Sequence, residues 1–161
     1  MTVYIIFYIE RNKEIHFTYS IIENEKISKK IGGADLSKLR ELNFKELEKI
    51  KNEVIQLCNM YKAEFGDNLY SGKLILRPMK CKPKECEYCP HGPYWFRATF
   101  IRNKKKFIFI YVGSKLKKAV LKKNELSNWD RYVFYEKEIK RLKDKKKVII
   151  KQLKEMEKYG I

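Results

Sequence analysis

Residues 73–113 read KLILRPMKCKPKECEYCPHGPYWFRATFIRNKKKFIFIYVG, and the rest of the chain is most easily read outward from them. Lys73–Met79 is a short apolar run of strand character. Tyr94–Arg102 and Lys106–Gly113 are two further strands, joined by the basic turn Asn103-Lys104-Lys105. Between the first strand and the second lies a proline-punctuated loop that gathers Cys81, Cys86, Cys89 and His91, spaced C-x4-C-x2-C-x-H. Three thiolates and one imidazole are a full ligand set for tetrahedral zinc, and C-x2-C is a common knuckle spacing. Lys80, Lys82 and Lys84 beside them favour the thiolate form. A loop so poor in apolar side chains has little else to hold its shape, so the expected role of zinc is structural. His91 is the least constrained of the four, with His16 a remote substitute, and Cys58 reads as a small core residue.

Upstream, Val3–Ile9 and Ile15–Ile22 are rich in β-branched and aromatic residues and are separated by a polar turn, which predicts a β-hairpin. Glu25–Ile31 is a candidate third short strand. A helix is expected from about Phe44 to Phe65, capped by Asn43 with Glu46 and stopped by Gly66. Downstream, Ser114–Lys123 is weakly helical, and a long helix is expected over about 128–159, with Ser127 and Asp130 as a capping box. Tyr132, Tyr135, Ile139, Leu142, Lys146, Ile149, Leu153 and Met156 recur along it at intervals of three and four, a heptad seam with one lysine in it. The seam has two readings: a helix laid along its own domain, or a coiled-coil homodimer. The expected fold class is α+β: small antiparallel sheets or hairpins, a zinc-knuckle-like loop, a central helix and a long C-terminal helix. The expected segments are 1–66, 67–126 and 127–161, the last joining the rest in one compact unit.

Charge divides the chain unevenly. Residues 1–66 hold 11 Lys+Arg against 10 Asp+Glu, whereas residues 67–161 hold 26 against 10, within a total of +17. Such an excess implies an anionic partner. Between 97 and 123 there is no acid, and the cations are Arg97, Arg102, Lys104, Lys105, Lys106, Lys115, Lys117, Lys118, Lys122 and Lys123. With Tyr94 and Trp95 as the first candidates for stacking on bases, these make the expected nucleic-acid contact surface. The other aromatics nearby, Phe96, Phe100, Phe107, Phe109 and Tyr111, are expected mostly in the core. Lysine outnumbers arginine, which favours phosphate contact over base reading and hence low sequence specificity, on DNA or RNA alike.

The run Cys86-Glu87-Tyr88-Cys89-Pro90-His91-Gly92-Pro93-Tyr94-Trp95-Phe96, followed by Tyr111-Val112-Gly113-Ser114, resembles an uncharacterised microbial family with a Cys-containing loop, then His-Gly-Pro-Tyr and a Tyr-Ile/Val-Gly strand end. The resemblance covers 81–114 and implies a shared small β module without an activity. Gly92-Pro93-Tyr94 with Tyr111-Val112-Gly113 is also similar to the two-strand signature of GIY-YIG nucleases. That similarity would assign Glu125 as metal-binding acid, but Lys115–Lys123 lacks the arginine the signature requires. The leading reading is therefore a zinc-stabilised nucleic-acid-binding protein without catalytic residues. The alternatives are a coiled-coil adaptor for an acidic partner and, third, such a nuclease. Clustered cysteines point to a reducing, cytoplasmic setting, and no run approaches the ~18 apolar residues of a membrane span.

Overall fold

The structure is a computed structural model that describes residues 3–11, 14–22, 33–82, 86–158 and 160, with side chains described from Ser37 onward. The expected strand Glu25–Ile31 lies outside the described residues, as do Pro83 and Lys84. The chain divides into two compact units, Met1–Glu41 with Ile161, and Leu42–Gly160. The first carries the hairpin: β1 (Val3–Arg11) pairs antiparallel with β2 (Glu14–Ile22), in register from Val3 opposite Ile22 to Arg11 opposite Glu14.

The second unit is α+β and contains every candidate site residue except His16. Helix α1 (Gly33–Phe65) begins well before the expected Phe44. Asn43 is therefore inside the helix and is not its cap; it is buried, and its side-chain nitrogen has no hydrogen-bond partner. The apolar stripe behaves as its periodicity predicts: Leu47, Ile50, Val54, Leu57, Cys58 and Tyr61 are all buried. At the far end Lys73 Nζ donates to the carbonyls of Gly66 (2.6 Å) and Asn68 (2.8 Å), placing a cation where α1 ends. Tyr61 Oη donates to the Leu74 carbonyl at 2.9 Å, tying the helix to the sheet.

That sheet is antiparallel in the order β3 (Leu74–Met79), β4 (His91–Ile101), β5 (Lys106–Gly113). Directly paired residues share a face. Leu74 opposite Arg97 and Leu76 opposite Trp95 therefore lie on one side, while Ile75 opposite Phe96 and Arg77 opposite Tyr94 lie on the other. On β5, Tyr111, Phe109 and Phe107 pair with Phe96, Ala98 and Phe100, so they extend the second side.

The first side meets the helices. Trp95 is wholly buried, edge-on to Tyr61 (5.5 Å between centroids) and Tyr132 (5.9 Å). Ser114–Lys123 is mostly irregular, with one 3-10 turn at Lys118–Val120. Helix α2 (Trp129–Lys158) follows a second 3-10 turn, Leu126–Asn128, in which Ser127 donates to the Asn124 carbonyl; the expected capping box is not formed. All eight seam residues are buried within this one chain. Arg131 and Tyr135 reach Glu64, while Arg141 reaches Glu53, so the two helices run antiparallel. No helix among the described residues is long and apolar enough to cross a membrane.

Candidate metal centre and basic surface

The cysteine loop closes on itself before any partner is considered. The Cys81 N–H donates to Cys89 Sγ (3.2 Å), the Cys89 N–H to the Cys86 carbonyl (3.2 Å), and Cys86 Sγ lies 3.3 Å from His91 Nε2. One ligand atom from each of Cys81, Cys86, Cys89 and His91 falls within 4.8 Å of the others. Tetrahedral zinc with Zn–S bonds of about 2.3 Å sets neighbouring sulfurs on the order of 3.8 Å apart. The cluster is therefore compatible with a metal site. Among the described residues no other group of His, Cys, Asp and Glu has such spacing.

Three attachments fix the loop. Met79 pairs with His91 at the start of β4. Tyr88 packs against the hydrophobic core. Lys146, the lysine of the α2 seam, donates to the carbonyls of Tyr88 and Pro90 (2.7 Å to the latter). A buried ammonium needs acceptors, and these two carbonyls flank Cys89. Burial lowers the Lys146 pKa, against the opposing pull of the cysteines, Cys89 first. Gly92 has φ +99°, and a Cβ there would sit 2.9 Å from the Tyr94 ring, so only glycine makes this exit from the loop.

The proton affinities of the ligands are uneven. Hydrogen bonding with Cys86, desolvation and Cys89 push the Cys81 thiol up to about 11. The Tyr88 N–H, directed at Cys86, holds that thiol below its ordinary value. His91 is lowered by burial and then by the Lys146 charge, which keeps the imidazole neutral, the form that binds metal. Cys58 is not part of the cluster: burial on α1 raises its thiol to about 12.

Beside the loop, a cavity of about 270 Å³ is bordered by His91, Pro93, Tyr94, Ser114, Lys143 and Lys147. The His-Gly-Pro-Tyr run and the serine after Tyr-Val-Gly thus meet at one concavity, with the α2 lysines Lys143, Lys146 and Lys147 at its wall. No family model, no curated protein and no solved structure matches this chain.

The predicted contact residues divide into two groups. Arg102, Lys104, Lys105, Lys106, Lys115, Lys117, Lys118, Lys122 and Lys123 are all exposed. Lys105 turns the β4–β5 connection with φ +45°, and Lys118 Nζ lies 5.3 Å from the Trp129 ring centroid. Two residues are placed where they cannot serve. Trp95 is buried and donates from Nε1 to Glu136, which also accepts from the Leu116 N–H at 2.8 Å. Arg97 is held by both carboxylate oxygens of Glu125 (2.5 and 2.7 Å) and by the carbonyls of Gly72 and Val120. Both lie on the helix-covered side of the sheet, which is the physical reason. Arg97 in turn settles the state of Glu125: burial alone would raise its pKa, but hydrogen bonds from Arg97 and from the Lys122 N–H outweigh it and hold the carboxylate ionised.

Tyr94 stays half-buried, edge-on to Tyr111 at 5.9 Å. The rings expected in the core divide: Phe96 is buried and Phe107 and Phe109 half-buried, whereas Phe100 and Tyr111 are exposed. Phe96, Phe100, Phe107, Phe109 and Tyr111 lie on the other side of the sheet, and none belongs to the helix-covered core cluster. Arg77, which the sequence reading passed over, joins them: its guanidinium lies 4.2 Å from the Phe109 centroid and 5.7 Å from that of Phe96. Its signal was an arginine alternating with apolar residues in β3.

Proposed function

We propose that this is a nucleic-acid-binding protein, tied together by a structural zinc ion, that holds its partner chiefly through lysine–phosphate contacts with low sequence specificity. The observation that carries this reading is the exposure of nine basic side chains between Arg102 and Lys123, in a stretch of sequence that contains no acid. Repulsion among them is relieved by a polyanion, and each phosphate neutralised releases counterions, so affinity falls steeply with salt. Zinc suits the loop because its three sulfurs and one neutral imidazole are the ligands it prefers, and it would leave no coordination position open for chemistry.

The test is binding of the zinc-loaded protein to labelled DNA and RNA across a salt series. A steep logarithmic slope is expected. Changing Lys104, Lys105 and Lys106 together to Glu should weaken binding at least tenfold and flatten that slope. Unchanged binding by the triple variant would overturn the assigned surface, and flat, weak binding by the parent would overturn the reading.

A further inference from the structure

Resting on that nucleic-acid reading, we infer that the partner is single-stranded and that its bases stack on the open face of the β3–β4–β5 sheet. The register places Tyr94, Phe96, Phe100, Phe107, Phe109 and Tyr111 on that face. The rings form two clusters, Phe100–Phe107 with centroids 5.1 Å apart, and Tyr111 with Phe96 at 5.7 Å and Tyr94 at 5.9 Å. Phe100 is 41 % exposed and Tyr111 54 %, so each cluster opens to solvent at one ring, while Phe96 is buried. Rings held in water this way are a standing hydrophobic cost that an occupant removes.

Charge selects the occupant. The strip runs straight into the turn that carries Arg102, Lys104, Lys105 and Lys106, and Arg77 lies over its middle. A second copy would bring the same cations against themselves on a chain of net +17. A nucleic-acid strand satisfies both halves of the surface at once, with bases on the rings and phosphates on the rim. Duplex does not, because its bases already stack on each other and offer the rings nothing. From Tyr94 to Phe100 the strand covers about 20 Å at ~3.3 Å per residue.

The experiment is fluorescence anisotropy of the full-length zinc-loaded protein with a labelled oligo-dT, an oligo-U and a blunt duplex of equal length, at several salt concentrations. Single strands are expected to bind at least tenfold more tightly than duplex. The double variant Phe100→Ala/Phe107→Ala should lose roughly ten- to a hundredfold on single strands, with the salt slope unchanged because no phosphate contact is removed. Circular dichroism checks its fold, and Tyr111→Ala, at the most exposed ring, serves as a second variant should the pair unfold.

Equal or preferential duplex binding, unaffected by either variant, would overturn this inference while leaving lysine-mediated binding intact. Absence of binding to all three probes would overturn both. Self-association of the parent by light scattering, lost in Phe100→Ala/Phe107→Ala, would give the face to a second copy and overturn the single-strand assignment.

Discussion

One three-stranded sheet has two faces here, both aromatic and both carrying an arginine, and the largest ring and the arginine of each have different surroundings. On the helix-covered face Trp95 is wholly buried, and Arg97 is paired with both oxygens of Glu125. On the open face Phe100 and Tyr111 meet solvent, and Arg77 lies over rings rather than against a carboxylate. The lesson is that residue type does not assign a strand's face; the element laid against it does. Trp95→Ala therefore should cost about 3–5 kcal/mol by leaving a large cavity. Phe100→Ala, which removes a half-open ring and one aromatic pair, should cost about 1 kcal/mol or less. Denaturant midpoints of the two variants measure the contrast directly, and equal losses would mean that the open face is also covered.

The arginines sharpen the same comparison. Glu125→Ala strands the Arg97 guanidinium beneath the helices, and breaking such a pair costs about 3 kcal/mol. Replacing both partners with apolar residues, as in Arg97→Met/Glu125→Leu, should recover most of that loss. Arg77→Met on the open face leaves no orphaned charge and should change stability little. A double-mutant cycle read by urea denaturation separates these outcomes. A Glu125→Ala loss no larger than that of Arg77→Met would show that the covered pair is solvated. In that pair both oxygens of Glu125 are engaged by Arg97.

What the sequence could show follows from range. The N-terminal hairpin, the apolar stripe of α1, the α2 seam and the cysteine–histidine cluster are patterns within one element or one loop, and each was legible. The faces of the sheet were not. Period-two alternation divides β4 into two sets but does not say which set meets α1 and α2, and a register shift between Trp95 and Phe96 blurs the alternation further. So Trp95, offered as a stacking group, is buried, and Phe100, expected in the core, is exposed. The start of α1 was missed for a local reason: Asn43 imitates a cap, yet helix formation continues back to Gly33. Lys146 failed for a distant one. In the heptad it reads as a flaw in a dimer seam, and its acceptors, the carbonyls of Tyr88 and Pro90, lie more than fifty residues away.

That lysine gives the third prediction. Because Lys146 reaches from the covered side of the molecule to the carbonyls around Cys89, Lys146→Met should leave the four ligands in place but loosen the loop that presents them. Outer-shell losses of this kind typically weaken metal binding by about 10–100-fold. Competition of zinc-loaded protein against a colorimetric chelator reads it out. Zinc retention equal to that of the parent would make the lysine a mere space-filler in the seam.

The smallest effect concerns the exposed counterpart of the buried Arg97–Glu125 pair. Glu64 on α1 accepts from Arg131 and from Tyr135 Oη (2.6 Å) on α2. Its hydrogen bond with Arg131, then that with Tyr135, lowers its pKa from 4.5 to about 2. A carboxylate lowered on folding stabilises the protein above its unfolded pKa, and that contribution fades as pH falls from about 4.5 toward 2. The pair is open to water, so the contribution should stay below ~1 kcal/mol. Glu64→Gln should accordingly be slightly less stable than the parent at pH 6, with the gap closing as the buffer approaches pH 3. Denaturation midpoints across that range measure it. A gap that widened on acidification would mean that Glu64 is repelled in the folded state rather than held, and the helix–helix contact would have to be sought elsewhere along the seam.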